Sequence, residues 1–342
     1  MRTPSPLPEA LLHVARRQEG LVSAAQCDEH GVRSPRRSRL VEQRSWARVT
    51  RGVYDTDPVP PAGRAGPGVP EHLRRRAAWA GLLTFGPDAI AVGPCALALL
   101  GVQGLPWRIT PQAALPGARE TRSRDGVLLR QFDDGMTVQR IDGRYVATPD
   151  WALAQAVPEL DRRHAVALMD SAQQRGLLDG RGLARAHDQA RGRRGVARTH
   201  SWWELSDRRA ESPLETFARL DCQDAGVVPD DLQVVIADDA GEFLARGDLG
   251  WRLPGGRWLI AEIDGAEVHA APEALSHDRR RQNRLVASRG VDVLRFTARD
   301  LRSAGHVGAE VRAFLARARG SVRSDRTEPR ARARNARTSA PT

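Results

Sequence analysis

Acidic residues on two neighbouring predicted strands are the clearest candidates for chemistry in this sequence. Asp248 lies in a predicted strand from Phe243 to Trp251, and Glu262 lies in the next one, from Arg257 to Asp264. A tight Pro-Gly-Gly turn joins the two strands, so we predict that both carboxylates converge at one end of a hairpin. Asp264 follows Glu262 by two residues, and the two side chains therefore point to the same face.

Clustered carboxylates of this kind suit a hard divalent cation, Mg²⁺ or Mn²⁺, with water and phosphate oxygens as its other ligands. We predict that Asp248 and Glu262 are the metal ligands, since a metal can activate water and stabilise negative charge during phosphodiester hydrolysis. Glu215, at a predicted helix start, could complete the cluster or orient a ligated water. His269, five residues after Asp264, could act as general acid or base near neutral pH.

Taken singly, each acid is more simply explained as surface charge, because exposed strand faces are commonly polar. The strand that carries Glu262 is otherwise apolar, with Leu259, Ile260 and Ile263. A charged pair on such a strand is costly unless it serves a site. The combination therefore favours a functional site over scattered surface charge.

The elements around these acids predict a C-terminal α/β domain over residues 210–318 with the order αβββαβ. Ser212-Pro213-Leu214-Glu215 has the spacing of a capping box and predicts the first helix. The other predicted elements are strands at 232–236, 243–251, 257–264 and 291–296, a long helix at 272–289 and a last helix at 298–317.

Five motifs follow one another in this region: Ser212–Glu215, Gly247-Asp248-Leu249, Glu262-Ile263-Asp264-Gly265 with His269, Asp278–Asn283 and Val293–Phe296. Together these motifs resemble the restriction-endonuclease-like PD-(D/E)XK domains related to very-short-patch-repair endonucleases. The resemblance implies a Mg²⁺-dependent DNA endonuclease with Asp248 and Glu262 as ligands, Glu215 as helper and His269 near the scissile phosphate. The superfamily usually has Lys two residues after the Glu, where this chain has Asp264; the very-short-patch branch has a His instead.

The first block, residues 1–57, has the element order of a winged helix-turn-helix, three short helices followed by a hairpin. We predict helices from Glu9 to Glu19, from a cap at Ser23 to Gly31, and from Pro35 to Arg44 with Ser34 as cap. The third helix of such a fold enters the major groove of double-stranded DNA. The arginines expected to contact DNA are Arg33, Arg36, Arg37, Arg39, Arg44 and Arg51. The alternative is a solvated basic face on a small packing domain.

A Pro- and Gly-rich linker, residues 58–70, is predicted to lead into a mixed α/β middle domain, residues 71–209, in which no catalytic constellation is visible. Predicted helices at 72–83, 94–100, 151–157 and 162–174 alternate with predicted strands at 89–92, 127–132 and 137–141, and a basic loop is predicted at 191–198. Short motifs in the first two blocks are Glu19–Ser23, Leu40 with Trp46, Arg51–Tyr54 and, more weakly, Asp142-Gly143 with Ala147–Pro149. Through these motifs the two blocks resemble the AbiEi-type antitoxins of type IV toxin–antitoxin systems. The resemblance implies a winged helix that binds DNA, including the protein's own promoter.

The amino-acid composition indicates the cellular compartment of the protein and the partners it is suited to. The formal net charge of the 342-residue chain is +11, and all 53 basic residues other than His are Arg. The tail from Arg319 to Thr342 supplies +5 of this charge and is predicted to be disordered, because it has few apolar residues to bury. Three widely spaced cysteines and the absence of a signal peptide or long apolar segment favour a cytoplasmic protein with no membrane partner.

Two functions are consistent with these features. The first is a DNA-binding, metal-dependent endonuclease acting in phage defence or repair. The alternative is a transcriptional autoregulator or antitoxin, with an inactive nuclease-like domain and a nucleotidyltransferase toxin as its genetic partner.

Overall fold

The computed structural model describes residues 6–57, 68–116, 122–237, 241–265 and 290–325. The described part is a mixed α/β protein with three sheets. The chain divides into two compact units, Met1–Thr216 and Phe217–Thr342. Most of the predicted linker (58–67), His269, the predicted helix at 272–289 and the tail from residue 326 lie outside the described residues.

The N-terminal block of the first unit combines three short helices with a small antiparallel sheet. The helices are α1 (Glu9–Arg17), α2 (Ala24–Glu29) and α3 (Ser34–Glu42), and the strands are β1 (Leu21–Ser23), β2 (Ala47–Thr50) and β3 (Val53–Asp55). β2 and β3 form the predicted hairpin, and β1, which was not predicted, pairs with the other side of β3. The buried cluster of this block consists of Leu11, Ala15, Val22, Cys27, Val32 and Trp46.

Of the two helix caps predicted in this block, one is confirmed and the other is wrong. Ser23 caps α2 as predicted: its hydroxyl accepts a hydrogen bond from the Gln26 amide at 3.2 Å, and the Gln26 side chain accepts one from the Ser23 amide at 2.9 Å. The prediction that Ser34 caps α3 was wrong. Arg33 is the extended residue before α3 and makes no capping hydrogen bond with its side chain, whereas Ser34 is already helical and Pro35 shifts one position inward.

The middle block, in the same unit, contains a five-stranded mixed sheet. Its helices are α4 (Val69–Phe85), α5 (Gly93–Leu99), α6 (Pro149–Ala156), α7 (Arg162–Gln174) and α8 (Gly180–Gln189). Its strands are β4 (Ile90–Ala91), β5 (Gln112–Ala114), β6 (Leu128–Arg130), β7 (Val138–Ile141) and β8 (Arg144–Ala147), in the order β6-β5-β4-β8-β7. β5, β8 and α8 were not predicted, and the predicted basic loop ends in a 3-10 helix, Val196–Leu205.

Ion pairs connect the N-terminal block to α4. The Glu19 carboxylate contacts both His72 and Arg75, and Arg76 pairs with the buried Asp55. These contacts connect the two blocks within one compact unit. The predicted division into separate domains joined by a linker stays a prediction.

The second unit is built on a four-stranded sheet. Its elements are α9 (Pro213–Asp224), whose first residues belong to the first unit, β9 (Asp231–Ala237), β10 (Phe243–Arg252), β11 (Trp258–Asp264), β12 (Val291–Thr297) and α10 (His306–Asp325). The strand order is β12-β11-β10-β9, with β11 and β12 parallel and the other pairs antiparallel. These elements follow the predicted order.

The last helix differs from its prediction at both ends. α10 begins at His306, eight residues later than predicted, because β12 is followed by a short 3-10 turn, Asp300–Arg302. It continues to Asp325, into the segment that was predicted to be disordered. Gly308 lets α10 approach α9 closely, since a Cβ at this position would lie 2.3 Å from the backbone oxygen of Asp221.

Candidate active site and nucleic-acid interface

The hairpin of β10 and β11 carries Asp248 and Glu262 on adjacent strands, just beyond its last residue pair. Paired residues run from Arg252 with Trp258 to Leu249 with Ala261, where the ladder ends. Asp248 precedes Leu249 and Glu262 follows Ala261, so each acid lies next to the last pair, on its own strand. Beyond the last pair, the Asp248 carboxylate accepts a hydrogen bond from the Ile263 amide at 2.7 Å. This hydrogen bond holds the Asp248 carboxylate against β11, at the residue that follows Glu262.

Glu262 is buried and held by an arginine on the neighbouring strand. Its residue exposure is 9%, and its Oε2 accepts a hydrogen bond from Arg295 Nη2 at 2.6 Å. The parallel register of β11 and β12 pairs the two residues directly. Because a buried carboxylate is costly without a charged or hydrogen-bonding partner, Arg295 stabilises Glu262 in this position. Arg295 was not predicted as a site residue, although an Arg inside the apolar run Val293–Phe296 is the kind of signal that could have revealed it.

Asp264 ends β11, two residues beyond Glu262, and is half-buried. It is opposite Thr297 in the register with β12. Alternation along the strand puts it on the same face as Glu262. The prediction that these two acids share a face is therefore consistent with the strand they occupy.

Glu215 lies in the first unit, whereas Asp248, Glu262 and Asp264 lie in the second. It is buried, and its carboxylate accepts a hydrogen bond from the Glu211 amide at 2.9 Å, while the Ser212 hydroxyl accepts one from the Glu215 amide at 3.2 Å. Ser212 thus caps α9 as predicted, and Glu215 contributes to the same helix start. His269 is outside the described residues. Within the described ranges, no group of three or more His, Cys, Asp or Glu side chains is arranged to hold a metal ion.

Four of the six arginines predicted to contact DNA are exposed: Arg33, Arg39 and Arg44 within or next to α3, and Arg51 at the turn of the β2–β3 hairpin. Arg36 is partly exposed and donates a hydrogen bond to the Pro6 carbonyl at 3.0 Å. Arg48, on β2, is also exposed and was not predicted. The solvent side of α3 and of the hairpin is therefore basic.

Arg37 has a different environment from the other five. Its side chain is only 7% exposed. Its Nη1 donates to the Asp28 carboxylate and the Val32 carbonyl, each at 2.7 Å, and its guanidinium lies 5.8 Å from the centre of the Tyr54 ring. Arg37, on the inward face of α3, therefore joins α2, the turn before α3 and the hairpin. It was predicted to contact DNA on the basis of its charge alone.

Two proteins of Mycobacterium tuberculosis are similar to this chain. They are the uncharacterized protein MT2308 of strain CDC 1551 / Oshkosh and the uncharacterized protein Rv2248 of strain ATCC 25618 / H37Rv. Each is 32% identical over 205 residues, which cover 60% of this chain and 73% of the mycobacterial protein. The chain belongs to the family of these mycobacterial proteins. No protein-family model matches it, and no helix in its described part is long and apolar enough to cross a membrane.

Proposed function

We propose that this protein binds double-stranded DNA through α3 and the surrounding arginines, and hydrolyses phosphodiester bonds with a divalent metal held by Asp248 and Glu262. One observation carries the proposal: the two acids lie on adjacent strands just beyond the last residue pair of the β10–β11 ladder, and each accepts a hydrogen bond from a neighbouring group. Such preorganisation is expected of ligands that must hold one geometry.

The donor set fits Mg²⁺ or Mn²⁺, because carboxylate oxygens are the ligands that these cations prefer. When bound, the metal would lower the pKa of a ligated water and stabilise the charge that develops on the phosphate. The chain's own residues supply the geometry. The Ile263 amide orients Asp248, and Arg295 orients Glu262 on a buried strand. Asp264 lies two residues beyond Glu262 on the same strand, and His269 remains the proposed general acid or base.

A second function is favoured by a specific observation. The guanidinium of Arg295 already contacts Glu262, the residue that would have to bind the cation, and Asp264 stands where the superfamily usually has Lys. Both features suit a nuclease-like domain that no longer cuts. The protein would then be a DNA-binding autoregulator or antitoxin, with a nucleotidyltransferase toxin encoded nearby. Either function suits the cytoplasm, and the three cysteines are free and buried.

Incubation of the purified protein with supercoiled plasmid separates the two functions. Nicking or linearisation that requires Mg²⁺ or Mn²⁺ and stops with a chelator is the result expected of the nuclease. A protein that binds the same plasmid but leaves it supercoiled with either metal would support the regulator. Failure to bind at low salt would contradict both.

A further inference from the structure

The tip of the β2–β3 hairpin is in contact with a turn of the middle block. A single carboxylate oxygen, Oδ2 of Asp125, accepts hydrogen bonds from the Arg51 amide at 2.7 Å and from the Thr50 hydroxyl at 3.2 Å. Thr50 is buried, whereas the side chains of Arg51 and Arg48 are exposed. The hairpin tip is thus held by an acid that lies more than seventy residues away in the sequence.

The local sequence around Asp125 favours a tight turn that holds its side chain in this position. Arg124 and Val127 exchange backbone hydrogen bonds of 3.1 and 2.9 Å, which leaves Asp125 and Gly126 as the two central residues. Both have positive φ, +50° and +77°, the combination that a type I′ turn requires and that Asp-Gly favours. Arg124 also lies over the Phe85 ring of α4, 5.1 Å from its centre. The turn is therefore anchored to the middle block.

The donors that Asp125 occupies are those that proteins use to bind the DNA backbone. Phosphate oxygens commonly accept hydrogen bonds from backbone amides and Thr hydroxyls as well as from Arg. At the hairpin tip, an amide, a hydroxyl and the exposed guanidinium of Arg51 occur within two consecutive residues. The Asp125 carboxylate thus occupies the position in which a phosphate oxygen could accept the same hydrogen bonds.

We propose that the hairpin tip is a phosphate-binding site for the DNA backbone, and that Asp125 blocks it as an internal competitor. This inference rests on the proposed DNA binding. DNA gains the contact only when the tip leaves Asp125, so the Asp125 contact lowers affinity in the free protein. The apparent affinity falls in proportion to the fraction of molecules in which the tip is released, as for any binding-competent state that must first be populated.

Asp125→Asn tests the competition, because it removes the charge and Asn-Gly still favours the same turn. The matched control is Asp134→Asn, which removes one exposed acid of the same block, a few residues before β7. Binding of the full-length protein to duplex DNA is measured by fluorescence anisotropy over a range of salt concentrations. We expect Asp125→Asn to bind severalfold more tightly than the control, with a salt slope steeper by about 0.9 for the added phosphate contact.

Amide hydrogen exchange provides a readout without DNA. The segment 50–52 should exchange faster in Asp125→Asn than in Asp134→Asn. If wild type binds DNA but the two variants have equal affinities and slopes, or if Asp125→Asn binds more weakly, Asp125 positions the hairpin rather than blocking it and the inference is overturned. If wild type and both variants fail to bind at low salt, the proposed DNA binding itself is refuted, and the competition with it.

Discussion

Replacing Arg37 by alanine removes a buried guanidinium from the N-terminal block. The side chain donates to the Asp28 carboxylate and the Val32 carbonyl at 2.7 Å, and to the Ala24 carbonyl at 3.4 Å. Its loss leaves these acceptors without the cation that joins α2 to α3. We therefore expect the substitution to lower the stability of the block that carries the proposed DNA-binding surface.

The expected loss in the free energy of unfolding can be worked out from these three hydrogen bonds. An uncharged hydrogen bond contributes about 1 kcal/mol, and one that involves a charged group contributes about 1.5–3 kcal/mol. The Asp28 side chain is 39% exposed and regains water when Arg37 is lost, so its contribution lies at the low end of that range. The contact at 3.4 Å is weak. We expect Arg37→Ala to lower the free energy of unfolding by about 2–4 kcal/mol.

Urea unfolding followed by circular dichroism measures this difference, with Arg39→Ala as the matched control. Arg39 is exposed on the same helix, so its loss should change the free energy of unfolding by no more than about 0.5 kcal/mol. Arg39→Ala should instead weaken DNA binding. If Arg37→Ala is as stable as Arg39→Ala and binds DNA less tightly, Arg37 faces the nucleic acid and does not hold α2 and α3 together.

Three further predictions concern charge, pH and packing. Substituting Arg33, Arg39 and Arg44 by alanine should reduce the slope of log affinity against log salt by about 0.9 per lost phosphate contact, measured by anisotropy. Burial and the adjacent His200 lower the pKa of His187. The neutral form of His187 therefore stabilises the fold fully above its unfolded pKa, and this contribution is lost as pH falls through the lowered folded pKa. Urea unfolding should show stability declining as pH falls below about 6.5, the ordinary pKa of His, and less so in His187→Asn. Gly308→Ala should cost about 1–3 kcal/mol in the same assay, because the added Cβ overlaps a backbone oxygen of α9.

Local patterns allowed much of the second unit to be predicted. The alternation of β10 and β11 and the turn between them depend on neighbouring residues, as does the Ser212 cap in the first unit, and the sequence contains all of that information. The prediction that Asp248 and Glu262 converge was made from the same turn. Arg295 could not be placed this way, because its contact with Glu262 depends on the parallel pairing of β11 and β12, which is a long-range choice.

In the N-terminal block, too, local features were predicted and features that depend on long-range contacts were missed. The cap at Ser23 and the β2–β3 hairpin are local features and were predicted. β1 was missed because it has three residues and exists only through its pairing with β3. Arg37 was assigned to DNA because charge does not reveal which face of a helix is buried. The tertiary contact with Asp28 decides its orientation.

The rate of plasmid nicking by wild type and by Glu262→Gln, each with Mn²⁺, tests the central claim most directly. The substitution preserves the shape of the side chain and removes the charge that would hold the cation. We predict metal-dependent nicking by wild type and a loss of at least about a hundredfold in the variant, equivalent to about 2.7 kcal/mol of transition-state stabilisation, with DNA binding retained. Equal nicking by the two proteins would contradict the assignment of Glu262 to the active site.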